Sequence, residues 1–425
     1  MPSQKFSIPR GTNDILPDEI SQWQAVEEKA RQIMSLYGYR EIRTPIFEET
    51  GLFERSLGAT SDVVQKQMLN LQKDGLSLRP EGTAAIVRSY IENDIDKKEH
   101  LAKWFYMGPM FRGERPQKGR LRQFHQIGVE AIGPGSSLPY VDAEVTALAV
   151  HLLRAFGLKD SDFQLKINTL GSPEDKENFS RLLREKLKSQ LSHLCEDCKN
   201  RFERNVFRIL DCKNKECKGI VDHLHFDDSY LSKESREHFQ NVKEALNSLS
   251  IRYEVSSKLV RGLDYYTHSV FEISSPLLGS QDALGAGGRY NNLVAQLGGS
   301  QVESVGFAMG IERILLALGQ NQSEQKKAIQ IFFITLDEQS MKKAFEILNL
   351  IRQQGIAGDM SYKASSMKSQ MRLADKVGAP FVGIIGESEI QNNILTLKDM
   401  QTGDQQEIGL SDLAKLFSQL QSKGN

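Results

Sequence analysis

Residues 111–130 read FRGERPQKGRLRQFHQIGVE, a basic stretch broken by Gly113, Pro116 and Gly119 between two runs that both look like strands. Lys103–Phe111 is rich in aromatics and lacks helical period, and Arg122–Ile132 follows the breaks directly, so the pair reads as a hairpin with a charged tip. Alternation along the second strand puts Arg122, Phe124, Gln126, Gly128, Glu130 and Ile132 on one face. At ~3.4 Å per residue, Gln126 and Glu130 stand about 14 Å apart, with Gly128 leaving room between them. A purely structural inner face would repeat Val, Ile and Leu; this one offers an arginine, an amide and a carboxylate around a gap. Arg112, at the end of the preceding strand, can reach the same surface.

The tip carries Arg115, Lys118 and Arg120 against Glu114 alone. Cations on a breaker-rich loop suit phosphate contacts, and Gln117 can read a base edge as donor and acceptor; the plain alternative is a solubilising loop. Bulk charge decides nothing, since 54 basic residues face 55 acidic ones. At 425 residues, 39% of them hydrophobic, the chain can bury a sizeable core in two to four domains. The opening MPSQKFSIPRGTNDILPDE has no apolar signal region, and no run approaches the ~18 apolar residues of a membrane span, so a cytoplasmic, non-membrane protein is expected.

Ile20–Tyr37 reads as an amphipathic helix, and YREIRTPIFE as a short strand that Pro45 confines to an edge or an interface. MLNLQKDGLSLRPEG is hairpin-like around Asp74-Gly75, and a helix is expected from about Gly82 to Ile91. Charged helices without strand alternation fill residues 173–249, read as an insertion that separates 1–172 from 250–318. A polar linker, 319–327, precedes strands and helices that alternate through 328–425, as in a small α/β domain. The four cysteines all fall in the insertion, as CEDC and, thirteen residues later, CKNKEC. Cys195, Cys198, Cys212 and Cys217 have acceptable spacing for a tetrahedral zinc site; reduced thiols without metal are the alternative.

Other candidates are weaker singly. In LRPEGT, Glu81 and Thr83 either cap a helix or hold a small ammonium group. In RGLDYYTHSVFE, adjacent Tyr265 and Tyr266 on a strand would point opposite ways, so only one would face a pocket. LGAGGRY fits neither common phosphate-loop pattern and reads as a tight turn, and Arg313 in GFAMGIERILL reads as a solvated helix-face arginine.

In sequence order, RTPIFEE, LRPEGT, FRGERPQKGRLRQFHQ, RGLDYY, LGAGGRY and GFAMGIERILL resemble the signatures of the class II aminoacyl-tRNA synthetases, and RGLDYY resembles their histidine branch. The resemblance covers nearly the whole chain. It implies an α+β fold: an antiparallel-sheet catalytic domain with a helical insertion, plus a C-terminal α/β anticodon-binding domain, with the RTPIFEE region at a homodimer interface. It further implies a ligase acting on L-histidine, ATP with Mg²⁺, and tRNA(His). By the same resemblance Glu81, Thr83 and Gln126 bind the α-amino group, while Glu130 and Tyr265 or Tyr266 bracket the imidazole. The resemblance also implies that Arg112 holds the ATP α-phosphate, Arg261 the histidine carboxylate and the α-phosphate at the reaction centre, Arg313 the far end of the nucleotide, and Arg115 and Gln117 the tRNA acceptor end. Asn291 departs from the family's usual Asp after GGRY, and no function is assigned to it. The competing expectation is a non-catalytic relative, the regulatory subunit of ATP phosphoribosyltransferase, in which the C-terminal domain is expected to be missing and the arginine set degraded.

Overall fold

A computed structural model of the chain describes residues 6–58, 61–279, 282–319, 329–363 and 365–422; of the expected 319–327 linker, only Gly319 lies among them. The chain divides into two compact units, residues 1–321 and 322–425. The first contains, in order, α1 (Pro17–Leu36), β1 (Arg40–Glu41), β2 (Phe47–Glu49), α2 (Thr50–Leu57), β3 (Leu69–Asn70), β4 (Leu76–Leu78), α3 (Thr83–Glu92), β5 (Ala102–Phe111), β6 (Gln123–Ile132), α4 (Pro139–Phe156) and β7 (Gln164–Thr169). Four helices follow, α5 (Pro173–Leu187), α6 (Glu196–Arg204), α7 (Lys215–Asp222) and α8 (Lys233–Ser248). Then come β8 (Glu254–Val255), β9 (Thr267–Ser274), β10 (Ala283–Arg289), α9 (Leu293–Gln296), β11 (Ser304–Gly310) and α10 (Ile311–Leu318).

Eight of these strands form one sheet in the order β1-β5-β6-β11-β10-β9-β7-β8. The interior pairings are antiparallel, and only the two-residue edge strands β1 and β8 run parallel to their neighbours. The alternation expected for β6 is present. Ile127, Val129 and Ala131, with Phe105 of β5 and Val305 and Phe307 of β11, join a core against α1, α4 and α8 through residues such as Trp23, Leu148 and Leu246. Each such side chain contributes roughly 1.5–3 kcal/mol when fully buried. On the opposite face Trp104 and Tyr106 pack with Phe53, Leu57, Ile86 and Val87 from α2 and α3. Pro45 lies between β1 and β2 rather than inside either, and its carbonyl accepts from the buried Arg79 guanidinium at 3.3 Å.

LGAGGRY departs from the turn reading: Ala283–Arg289 is a central strand paired with both β9 and β11. A β-carbon at Gly287 would stand 2.3 Å from the Gly306 carbonyl oxygen, and one at Gly285 would stand 3.0 Å from that of Ala308. Glycine is therefore required by the close approach of two strands, and a run without side chains shows no period from which a strand can be read.

At the end of β10, Arg289 donates to Asp142 of α4 (Nε–Oδ1 3.0 Å) and to the Ser136 carbonyl at 2.7 Å. His238 of α8 approaches the same carboxylate, Nε2 to Oδ2 3.2 Å. Burial alone would raise the Asp142 pKa, but Arg289 and His238 outweigh it and hold the carboxyl well below its usual range. The pair is 1% and 2% exposed and ties two helices to the sheet centre.

The second unit carries β12 (Ile331–Thr335), α11 (Glu338–Gln353), β13 (Gly358–Met360), α12 (Met367–Lys376), β14 (Phe381–Ile385), α13 (Glu387–Gln391), β15 (Ile394–Asp399), β16 (Gln405–Gly409) and α14 (Leu413–Ser422). Its sheet has the order β13-β12-β14-β15-β16, parallel through β14 and antiparallel beyond. Every residue of β12 and β14 is buried, as expected of parallel strands covered on both faces.

Asp142→Ala leaves Arg289 charged in the core, so urea denaturation should show a loss of about 3–5 kcal/mol. Asp142→Leu combined with Arg289→Met should lose clearly less than the sum of the two single changes, because neither partner is then left buried and unpaired.

Candidate active site

The side of the sheet away from α1 and α4 holds a cavity of about 210 Å³, lined by residues of β6, β10, β11, the start of α3 and the segment before β9. Its floor follows from strand register. Glu130 stands between Trp104 and Gly306, Gly128 between Tyr106 and Ala308, and Gln126 between Gly108 and Gly310. Gly306, Ala308 and Gly310 of β11 line the cavity, whereas the room expected beside Gly128 is filled by the Tyr106 ring and Gly128 is not part of the lining. A β-carbon on Gly306 would lie 1.9 Å from Glu130 Oε2, and one on Gly128 would lie 2.3 Å from the Tyr106 ring.

Glu81 caps α3, accepting from the backbone N–H of Thr83 (2.7 Å) and Ala84 (2.8 Å), and it also lines the cavity. Burial raises its pKa, and the helix N–H groups partly oppose that. The Thr83 hydroxyl donates to Glu130 Oε1 at 2.6 Å, and the Tyr290 hydroxyl donates to Oε2. Glu130 is 1% exposed, and burial, partly offset by these two bonds and reinforced by Glu81, lifts its pKa to about 8. Gln126 keeps a buried Oε1 with no hydrogen-bond partner. Such an unpaired acceptor costs about 1–3 kcal/mol, recoverable by a bound donor.

Tyr265 and Tyr266 both line the cavity, with ring centroids 4.6 Å apart, contrary to the expectation that only one would face it. They precede β9 in irregular backbone, where strand alternation does not apply. Arg112, Arg261 and Arg313 line the same cavity. Arg112 donates from Nε to the Pro80 carbonyl at 2.9 Å and lies over the Phe124 ring at 5.2 Å. Arg261 donates to Glu272 at 2.6 Å, while its buried Nε has no partner. Arg313 is anchored rather than solvated, donating to the Gly119 carbonyl (3.0 Å) and the Ala283 carbonyl (2.7 Å). Arg115 and Gln117 stand outside the cavity, exposed on a turn closed by reciprocal Gln117–Arg120 backbone bonds of 3.0 and 2.9 Å.

Sequence reasoning missed Tyr290, which closes the Glu130 network, and Glu312, which lines the cavity and accepts from the His125 backbone N–H at 2.9 Å. Tyr290 follows a glycine-rich strand that shows no period, and its partner Glu130 is 160 residues away in sequence. Asn291 accepts from the Ser304 N–H at 3.3 Å and is not among the cavity-lining residues. The sulfurs of Cys195, Cys198, Cys212 and Cys217 lie within 4.8 Å of one another, the one such group of metal-ligating side chains among the described residues.

A family model described as histidyl-tRNA synthetase matches residues 11–314, and one described as an anticodon binding domain matches 330–420. The chain is 45% identical to the histidine–tRNA ligase of Halothermothrix orenii over 417 residues, covering 97% of this chain and 99% of that protein. It is 43% identical to that of Natranaerobius thermophilus over 418 residues, covering 97% and 98%. The crystal structure of the apo S. aureus histidyl-tRNA synthetase superposes with a TM-score of 0.79 at 37% identity, covering 97% of this chain and all of that one.

A carboxyl whose folded pKa is raised from 4.5 to about 8 stabilises the fold fully only below the unfolded value, and that contribution disappears as pH climbs to about 8. Glu130→Gln removes the titration. In thermal melts from about pH 5 to about pH 8, wild type should therefore lose stability relative to the Gln variant, by on the order of 4 kcal/mol at most; a pH-independent difference would contradict the assigned environment.

Proposed function

The chain belongs to the histidyl-tRNA synthetase family, and from that membership we propose how its own cavity residues carry out the reaction. The activity is that of a class II histidine–tRNA ligase: histidine and ATP give histidyl-adenylate and pyrophosphate, and the histidyl group then passes to tRNA. The observation that carries the residue roles is a buried, hydrogen-bonded Glu130 under a cavity lined by three arginines.

A neutral imidazole presents one N–H donor and one acceptor nitrogen. Glu130 accepts the N–H on a lone pair that Thr83 and Tyr290 leave free, the bound donor favouring the ionised carboxylate over the neutral form that burial favours in the empty cavity, and a hydroxyl of Tyr265 or Tyr266 donates to the other nitrogen. Side chains lacking either group leave buried polar atoms unpaired, which is the strongest form of selection such a pocket has. The α-ammonium donates to Gln126 Oε1, to Glu81 and to Thr83, and the first of these satisfies an otherwise orphaned acceptor.

ATP enters as its Mg²⁺ complex. Arg112 and Arg261 bind the α-phosphate and Arg313 the distal phosphates. The histidine carboxylate attacks the α-phosphorus and pyrophosphate leaves. The nucleophile is already ionised, so the site supplies alignment and charge neutralisation and needs no strong base. The carbonyl bonds to Arg112 and Arg313 and the Glu272 ion pair on Arg261 fix each guanidinium before substrate arrives, which limits reorganisation during the reaction.

For the second step, the exposed Arg115 and Gln117 take the acceptor end of tRNA(His) beside the cavity. Residues 1–172 and 250–318 form the catalytic domain in this proposal, 173–249 its insertion, 319–327 the linker and 328–425 the anticodon-binding domain. A homodimer is supported by Ile46, Phe47 and Leu71, which are 44%, 47% and 42% exposed around the small β2-β4-β3 sheet. No helix among the described residues is long and apolar enough to cross a membrane, and a cytoplasmic site of action is retained as part of the proposal. The regulatory-subunit alternative fits poorly, because the C-terminal match is present and all three arginines line the cavity.

Pyrophosphate exchange compared across the twenty amino acids should respond to histidine alone. Arg261→Ala should lower histidine-dependent exchange by roughly 10²-fold or more with an unchanged melting curve, and near-normal exchange would overturn its role. Replacing Arg115 and Gln117 by Ala should slow transfer to tRNA far more than exchange; equal losses in both steps would rule out an acceptor-end contact.

A further inference from the structure

The cysteine cluster spans 23 residues of sequence, from Cys195 to Cys217, yet its four sulfurs converge within 4.8 Å. Four thiolates about 2.3 Å from one tetrahedral Zn²⁺ stand about 3.8 Å apart. Cys195 Sγ and Cys212 Sγ are 3.9 Å apart with no disulfide between them. Cys195 leads into α6 as its N-cap, Cys217 lies in the first turn of α7, and the Cys195 N–H donates to Cys217 Sγ at 3.2 Å, a bond that stabilises a thiolate. The surrounding apolar cluster is small, with Leu183, Leu187, Leu194, Val206, Ile209 and Val221 as its principal fully buried aliphatics. A cross-link at the cysteines would add stability to so small an apolar cluster.

The thirteen residues between Cys198 and Cys212 have a second set of partners. Arg208 donates to the Gly262 carbonyl at 2.5 Å and to Asp62 at 2.6 Å, and Arg201 also reaches Asp62 at 3.3 Å. Asn205 donates from Nδ2 to Asp264 Oδ1 at 2.8 Å. Gly262 and Asp264 alternate with the cavity-lining Arg261, Leu263 and Tyr265. The loop between the second and third cysteine therefore grips, from behind, the backbone that presents Arg261, Tyr265 and Tyr266.

We propose that Cys195, Cys198, Cys212 and Cys217 bind one structural Zn²⁺, and that this ion holds Asn205 and Arg208 as positioning residues for the Arg261–Tyr266 segment. On binding, the thiols release their protons to solvent and coordinate as thiolates, with no change of oxidation state. The positioning half of the proposal rests on the histidine-binding roles given above; the metal half does not.

The test uses the full chain purified without chelator. Elemental analysis should give about one zinc per chain. Co²⁺ exchanged into the site should show the visible d–d and thiolate charge-transfer bands of a tetrahedral tetrathiolate site. No zinc, or iron in its place, overturns the metal site, and this readout is independent of folding variants and of ligase activity. Releasing the zinc with a mercurial should raise the KM for histidine by about 10-fold while the KM for ATP moves much less. Asn205→Ala and Arg208→Ala should keep the zinc and reproduce that split. An unchanged histidine KM after zinc release, or equal shifts for both substrates, overturns the positioning role. Absence of histidine-dependent exchange in the zinc-loaded wild type would instead refute the ligase roles and leave the metal site standing.

Discussion

The pleat of a single strand sets the constraint on which the catalytic half depends. β6 must direct Ile127, Val129 and Ala131 into the core against α1 and α4 while holding Gln126 and Glu130 on the opposite face. A slip of one residue would bury the amide and the carboxylate among leucines and expose the aliphatics, so the core enforces the register of the site. The neighbouring strands comply with glycine and alanine: Gly306, Ala308 and Gly310 on β11 sit beside Glu130, Gly128 and Gln126. Hydrophobic burial on one face and missing side chains on the other thus produce a polar cavity in the middle of a sheet.

Holding charge in that cavity requires partners for each group. Glu130 would be costly to bury alone, and two hydroxyl donors offset only part of the penalty, which is why its pKa remains raised to about 8. Glu81 shares its carboxylate with the N-terminus of α3. The arginines lean on carbonyls and on Glu272, and Arg261 Nε is left without a partner. By contrast the Arg289–Asp142 pair, equally buried, lies outside the cavity lining and serves structure, even though Arg289 Nη1 has no hydrogen-bond partner. The same residue types serve both purposes, and the difference lies in whether the group lines the cavity.

Much of this was legible in the chain. The strands β5 and β6, the cap at Glu81, the charged tip and the helices between residues 173 and 249 all follow from period and breaker residues, and Glu81, Thr83, Gln126, Glu130 and the three arginines do line one cavity. The differences have two causes, backbone without a readable period and partners remote in sequence. LGAGGRY was read as a turn because glycines carry no period, and the strand assumption wrongly separated Tyr265 from Tyr266 because that segment is irregular. Arg313 looked solvated because its acceptors, Gly119 and Ala283, are remote in sequence. Tyr290 and Glu312 were missed for the same reason: their partners, Glu130 and His125, lie more than a hundred residues away.

The sequence by itself determined the local geometry and the inventory of chemistry: which residues alternate on a strand, where helices start, and which arginines, carboxylates and cysteines are available. These follow from backbone sterics and short-range hydrogen bonding, which act between near neighbours. Tertiary structure alone decided which groups share a cavity, which are left without partners, and that a segment between two cysteines supports the loop carrying Arg261 and both tyrosines. Those outcomes depend on strand order and on burial, and burial changes a carboxyl or a guanidinium only once distant parts of the chain have excluded water from it.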